Sequence, residues 1–368
     1  MRTLVTGGAG FIGTHLVESL RALGDNVVVL DSFEEQVHGT SPPSLPDDVV
    51  VVAGDVGDEE LVDRALEGVD RVVHLAAAVG VGQSMYEIDR YVRCNTMATA
   101  TFLERLVAQR PDLKRLVVAS SMSIYGEGEY QCESHGPVAP GPRPEAQLVA
   151  REWECVCPSC GVPLTPIGTR ETKPLVPTSV YAITKRDHEE LCLVIGRAYG
   201  IPTLALRFFN VYGPGQALSN PYTGVGAIFA SRLLNGRPPV IFEDGQQSRD
   251  FIHVTDIAAG ILLALEADAS DVALNLGTGR PVTVNEIATA LSDGLGVDIE
   301  PERTGQYRAG DIRHCFADTT RAETALGFRA KVSFEDGLKD LASWLAGRQA
   351  DDRVEVATRE LVDRGLAR

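Results

Sequence analysis

The chain has 368 residues, 44% of them hydrophobic, enough to bury one large core or two smaller ones and well outside the composition of a disordered protein. With 51 acidic against 34 basic residues it carries a net charge of −17, which repels phosphate backbones and anionic lipid headgroups and so argues against nucleic acid or membrane as partners. Strand-like Arg2–Val5 begins with no charged and apolar leader before it, and no apolar run reaches spanning length, so a cytoplasmic location is expected.

Thr3–Thr6, Val27–Leu30, Val49–Val52, Val72–Leu75 and Leu116–Ala119 are short β-branched runs separated by helical patterns. This is the rhythm of βαβ units, and it predicts an α/β fold with a Rossmann-type doubly wound parallel sheet. Between the first strand and first helix stands Thr6-Gly7-Gly8-Ala9-Gly10-Phe11-Ile12-Gly13. Gly7, Gly10 and Gly13 leave room for a pyrophosphate, while Phe11 and Ile12 open a helix whose N–H groups and dipole favour an anion. Asp31, followed by Ser32, ends the second strand, where its carboxylate can accept from both ribose hydroxyls and repel a 2′-phosphate. No Lys or Arg follows before Arg64, so the expected cofactor is NAD rather than NADP. Asp55 and Val56 follow the third strand and are placed near the adenine, although Gly54-Asp55 reads equally well as a turn. Leu75, Ala76 and Ala77 end the fourth strand, where small residues let the backbone pass beneath a cofactor. Asn95 and Phe208 complete the predicted cofactor set.

From Gly126 to Ser179 the rhythm breaks into a Pro-, Gly- and Cys-rich segment that can hold neither a long helix nor a central strand. Of the seven cysteines, Cys94, Cys192 and Cys315 are scattered, while four fall here. Cys132-Glu133-Ser134-His135 and Cys157-Pro158-Ser159-Cys160 have the two-residue spacing of zinc knuckles. The predicted ligands of a structural Zn2+ are Cys132, His135, Cys157 and Cys160, with Cys155 as a substitute for His135; a reduced loop without metal is the alternative. Four protein ligands leave no position for a reacting water, so zinc here would fold the insertion. It borders either the sugar pocket or a partner surface.

A helix follows from about Tyr181 to Tyr199. Tyr181 and Lys185 stand at i and i+4 on one of its faces. A phenol titrates near 10, so acting as a base at neutral pH needs about 4 kcal/mol of extra stabilisation of the phenolate. Lys185 and a positive nicotinamide ring can supply it. Ser120-Ser121-Met122-Ser123-Ile124-Tyr125-Gly126 follows the fifth strand, at the sheet end where ligands of open α/β folds bind, and a hydroxyl there can polarise a carbonyl. The predicted division is a Rossmann domain at 1–207 interrupted by the insertion at 127–178, a smaller α/β substrate lobe mainly at 208–347, and a tail or helix at 348–368.

With its glycine turn, its serine segment and its Tyr/Lys pair, the chain resembles the extended short-chain dehydrogenase/reductase family, and within it the nucleotide-sugar epimerases and dehydratases. The likeness covers residues 1 to about 345, apart from the insertion. It implies that Ser121 is the catalytic hydroxyl, Tyr181 the base, and Lys185 its partner and the holder of the nicotinamide ribose. It also implies a substrate set: Ser121, Ser123, Tyr181, Asn210 in Phe208–Pro214, Arg249 in Arg249–Val254, and Arg308 and Asp311 in Arg308-Ala309-Gly310-Asp311. Cys315 falls where the likeness places a side chain that limits pocket size. Dehydratases of the family resemble one another in an Asp-Glu pair where Met122 and Ser123 stand here, and members that epimerise beside the ketone have a cysteine at the Ser123 position. What remains is the kit for oxidation and reduction at one carbon, which implies a nucleotide-sugar 4-epimerase. The stretch Gln216–Val254, including Asn220–Gly224, and the Cys-rich insertion are similar to the dTDP-L-rhamnose 4-epimerases. UDP-glucose, UDP-glucuronate and UDP-N-acetylhexosamine 4-epimerases are the nearest alternatives. The likeness also implies a homodimer through a four-helix bundle that includes the Tyr181 helix. Two other readings stand: a dinucleotide-sensing scaffold without turnover, and a net dehydrogenase or decarboxylase, which NADH accumulation would expose.

Overall fold

A computed structural model of the chain describes residues 1–39, 44–110, 112–218, 224–308, 310–346, 348 and 354–367. Asn220–Thr223 and Ala309, which belong to two of the motifs above, lie outside the described residues. Among the described residues, seven strands form one parallel sheet. Their order across it is Val50–Ala53, Asn26–Asp31, Arg2–Thr6, Arg71–His74, Arg115–Ser121, Thr203–Phe208 and Val272–Leu276. The order reverses between Arg2–Thr6 and Arg71–His74, so a crevice opens above their carboxyl ends, where the next residues are Gly7 and Leu75.

Alternation along the strands gives the sheet its two covered faces. Val5 and Val29 pack with Leu16, Leu20, Ile257 and Ile261 on one side, while Leu4 and Val28 pack with Leu66, Phe102 and Leu106 on the other. Removing one such leucine side chain costs about 2–5 kcal/mol. The smaller lobe has its own core, built from Tyr212, Phe229, Phe251, Ile287, Phe334 and Leu341.

Val272–Leu276 pairs with Thr203–Phe208 as the last strand of the main sheet. The predicted boundary at residues 207 and 208 is therefore crossed again: the chain leaves the sheet for the small lobe and returns to finish it. Residues 208–347 contribute to both bodies because the exposed edge of Thr203–Phe208 needs a parallel partner, and a parallel partner needs a crossover.

The insertion folds as expected without a long element. Glu129–Cys132, Gly136–Val138 and Thr165–Ile167 make a three-stranded antiparallel sheet, accompanied by the short helix Glu145–Val149. Among the described residues, no helix is long and apolar enough to cross a membrane.

Candidate active site

The glycine turn is shaped for close approach. Gly7 has φ +69°, and a Cβ there would sit 2.8 Å from the Ala76 nitrogen. A Cβ on Gly13 would sit 2.4 Å from the Gly7 carbonyl oxygen. The helix Phe11–Ala22 therefore starts directly above the strand ends, with its free N–H groups facing the crevice. A cleft of about 670 Å3 runs from this turn to the small lobe. At its far end from the chemistry lies Asp31. Burial alone would raise its carboxyl, but hydrogen bonds from His38, Phe33 and Ala9 hold it below the usual carboxylate range. It is thus an ionised acceptor with capacity for a ribose hydroxyl.

Tyr181 stands in the first turn of the helix Val180–Tyr199. Ser179 caps that helix by accepting from the Ala182 nitrogen, and Gly200 ends it in the left-handed region. Ser121 closes the strand beside it and accepts a hydrogen bond from the Ser123 hydroxyl at 2.9 Å. Burial raises the Tyr181 phenol, and the hydrogen bond with Ser121 lowers it, with a net rise. The Lys185 ammonium is held by another partner in this structure. Its Nζ lies 3.2 Å from His188 Nδ1 instead, and burial pulls the ammonium down to about 8. His188 Nε2 lies 3.1 Å from the Asn95 carbonyl oxygen. If that nitrogen carries the proton, Nδ1 is left as an acceptor for Lys185. His188, like His74 beneath it, is held neutral, first by burial and then by the neighbouring Lys185 charge. The phenol thus waits, protonated, for a second positive group.

His188 was not among the predicted residues, yet its signal was present. Tyr181, Lys185 and His188 stand at i, i+4 and i+7, one buried face of one helix. Asn95 was predicted to touch the cofactor, but it is fully buried behind the cleft wall. Its side chain accepts from the Ala78 nitrogen at 2.7 Å and donates to the Ala78 oxygen and to Thr184. It braces the floor of the site. The other predicted cofactor residues all line the cleft: Gly7, Gly10, Phe11, Ile12, Gly13, Asp31, Ser32, Asp55, Val56, Leu75, Ala76, Ala77, Tyr181, Lys185 and Phe208.

On the substrate side Ser121, Ser123, Asn210, Arg249, Arg308 and Asp311 line the same cleft. The Arg249 guanidinium donates to the carbonyls of Ser248, Ile312 and Arg313, which fix its direction without neutralising its charge. Arg308 pairs with Asp311 at 2.8 Å and lies over the Phe242 ring. Three amide oxygens on the cleft wall, of Asn210, Gln216 and Gln247, are buried without a hydrogen-bond partner among the described residues. Buried acceptors of this kind call for a donor from water or from a ligand; Gln216 and Gln247 were not among the predicted site residues, although both fall in the stretch Gln216–Val254. Cys315, predicted to bound the pocket, does not reach it. His314–Cys315 pairs in parallel with Ser248–Arg249, and this turns the Cys315 thiol into a packed cluster with Met122, Tyr125 and Phe209, where burial pushes it up to about 12.

In the insertion, the Cys132 sulfur lies 3.4 Å from His135 Nδ1 and 3.8 Å from the Cys160 sulfur, and Cys157 lies 3.6 Å from the same nitrogen. The four ligand atoms all lie within 4.8 Å of one another. Tetrahedral Zn–S bonds of about 2.3 Å put ligand atoms about 3.8 Å apart, so the spacing suits that ion. Cys155 is not part of this group. Its thiol instead donates to the Tyr130 hydroxyl at 3.4 Å, and it packs in the apolar cluster with Tyr130 and Leu164. Among the described residues of the insertion, Thr178 alone reaches the cleft wall. The insertion is keyed to the small lobe through buried arginines: Arg143 donates to Glu243 and to the Asp311 carbonyl, and Arg313 binds Glu154, Glu243 and Asp244.

Such a cleft, with its anion-cradling turn joined to a Ser-Tyr-Lys set whose Tyr and Lys are buried, defines a Rossmann-fold enzyme that works with a bound dinucleotide. The chain belongs to the NAD dependent epimerase/dehydratase family, whose pattern matches residues 3–144 and 155–277. It is 34% identical to a dTDP-L-rhamnose 4-epimerase of Burkholderia thailandensis, over 94% of this chain and 95% of that one. Among solved structures, it is similar to a UDP-glucose 4-epimerase of Thermotoga maritima bound to UDP-glucose, with 31% identity, a TM-score of 0.77, and coverage of 94% and 99% of the two chains. A Thermus thermophilus UDP-glucose 4-epimerase in complex with NAD gives 31% identity and a TM-score of 0.74 at the same coverage.

Proposed function

We propose that this chain is an NAD-dependent nucleotide-sugar 4-epimerase, acting on dTDP-L-rhamnose or a related deoxysugar nucleotide through a transient 4-keto sugar. The observation that carries the reading is the joining of Tyr181 and Ser121 to one continuous cleft that holds the glycine turn at one end and Arg249 at the other. NAD, when bound, would supply an acceptor for the carbon 4 hydride that can return it to either face of the ketone. Gly7, Gly10 and Gly13 would cradle its pyrophosphate, Asp31 its adenosine ribose and Lys185 its nicotinamide ribose. Tyr181 takes the C4 hydroxyl proton and gives it back, and Ser121 donates to the carbonyl oxygen that forms. Lys185, with the positive charge that the bound cofactor would bring, would lower the phenol that burial raises. Arg249, Arg308 and Asn210 grip the diphosphate, leaving the sugar free to turn.

Elimination of water needs a free acid or base near carbons 5 and 6. The carboxylates on this side of the cleft, Glu243 and Asp311, are both bound to arginines. This favours epimerisation over dehydration, which also occurs among the relatives. The dTDP-L-rhamnose preference rests on the 34% identity to an enzyme of that name; UDP-hexose, UDP-glucuronate and UDP-N-acetylhexosamine are the competing substrates.

The same reading assigns a structural Zn2+ to Cys132, His135, Cys157 and Cys160, whose hydrogen bond from His135 already holds the Cys132 thiol down to about 6. It assigns a homodimer as well, because Val92, Met97, Ile183 and Val194 expose an apolar face on neighbouring helices, and a cytoplasmic location, where the seven free thiols stay reduced.

The test is to incubate the purified protein, without added NAD, with a panel of nucleotide sugars and to follow C4 epimers by NMR. Tyr181→Phe is expected to lower turnover by about 10³-fold or more. Stoichiometric release of NADH with an oxidised sugar, or full turnover by the Phe variant, refutes the scheme.

A further inference from the structure

Beyond the helix Phe334–Leu345, which ends the small lobe, the chain forms one more helix, Val354–Asp363, and a turn that runs to Ala367. This tail touches both sides of the cleft mouth. On the nucleotide-binding side, the Tyr86 hydroxyl donates to Glu360 at 2.7 Å, and the Arg364 guanidinium lies 4.5 Å from the Tyr86 ring centre. Leu361 packs on Gly82, where an added Cβ would lie 3.6 Å from it. On the substrate side, Arg237 pairs with Glu355 at 3.1 Å, and Ala367 forms an antiparallel bridge with Arg308.

Leu361 and Ala367 are 9% and 4% exposed, and Leu361 forms part of the cleft wall itself. A terminal segment orders itself only where it gains buried area or hydrogen bonds, and here the receiving surface is the mouth of the active site. Both ends of that contact lead to functional groups. Arg308 is a diphosphate contact in the proposed reading, and the bridge to Ala367 fixes its backbone. Gly82 belongs to the short helix Val81–Ser84, and the Ser84 hydroxyl accepts from the Tyr181 nitrogen at 3.0 Å.

We propose that residues 354–367 are a strap across the nucleotide-sugar cleft, with Leu361 as a wall of the substrate site and the Ala367 bridge as a clasp on Arg308. The inference rests on the reading of the cleft as a nucleotide-sugar site. Its chemical value lies in the half-way point of the reaction. Once the hydride has left C4 for the nicotinamide and the hydroxyl proton has gone to Tyr181, a ketone that escapes leaves the enzyme with NADH and unable to begin another turn. A strap that holds the ketone until the hydride returns prevents this.

Two variants test it: the chain ended after Ala346, and Leu361→Ala in the full chain, which keeps the test open if the shortened chain fails to fold. dTDP and UDP serve as binding probes in calorimetry, independent of turnover. The expected result is binding about 10-fold weaker without the tail and about 3-fold weaker for the alanine variant, the loss of one buried apolar contact. Hydrogen exchange within 354–367 is expected to slow when dTDP is added to the full chain. With the nucleotide sugar that the NMR panel identifies, both variants should accumulate enzyme-bound NADH, seen by its absorbance, together with free keto sugar. Unchanged dTDP and UDP binding and no ketone release in both variants would overturn the strap. A full chain that forms no C4 epimer, yet loses nucleotide affinity with its tail, would instead overturn the 4-epimerase reading and keep the strap.

Discussion

Lys185→Met is expected to stabilise the cofactor-free enzyme while destroying its activity. Lys185 is 3% exposed, and among the described residues its ammonium hydrogen-bonds to no carboxylate, only to the His188 ring at 3.2 Å. Burial takes its pKa from 10.5 to about 8. At about 1.4 kcal/mol per pH unit, carrying the charge costs the folded state about 3 kcal/mol near pH 7. Methionine fills nearly the same volume without charge. The variant forgoes the hydrogen bond to His188, worth about 1 kcal/mol, so the net gain is about 2 kcal/mol. The sign follows from proton counting. Between about pH 8 and 10.5 the unfolded lysine holds a proton that the folded one has lost, so wild-type stability rises with pH across that window. The advantage of the variant is therefore full below about pH 8 and fades above it. Urea denaturation of cofactor-stripped protein at about pH 7 and pH 9.5 measures both, and turnover is expected to drop by about 10²-fold or more. A variant less stable than wild type near neutral pH, or an advantage that grows with pH, would show that Lys185 is not held as an unfavourable buried cation.

Gly13→Ala drives a methyl to 2.4 Å from the Gly7 oxygen; relief of that clash should weaken NAD retention about 10- to 100-fold, read as NAD released on gel filtration, while the insertion keeps its metal. Cys157→Ser should remove zinc from the insertion and lower its thermal midpoint. Less than about a tenth of an equivalent of zinc in fresh wild-type protein would refute the metal assignment. Cys315→Ala should cost about 1–3 kcal/mol of stability, because the thiol packs against Met122, Tyr125 and Phe209. It should leave the ranking of sugar substrates unchanged, and a changed ranking would return Cys315 to the pocket wall.

Much of this enzyme was legible locally. The alternation of strand and helix, the glycine turn and the i, i+4 pairing of Tyr181 with Lys185 are short-range patterns, each tied to one backbone geometry, and the first five strands of the main sheet fall within a residue or two of their predicted places. Helical spacing also contained His188, three residues beyond Lys185, but the sequence offered no reason to prefer it over an ordinary core histidine. Its role depends on the Asn95 carbonyl, 93 residues away along the chain.

Sequence alone determined the class of chemistry, because an anion-binding turn and a phenol one helical turn from an ammonium are encoded within a few consecutive residues. Tertiary structure decided which groups meet. It turned Cys315 and Cys155 away from the sites assigned to them, set Asn95 behind the wall rather than on it, and left Gln216 and Gln247 with unspent acceptors in the cleft. It also brought the tail across the mouth. Direction and burial of a side chain follow from strand register and from partners far along the chain, and no local spacing carries that information.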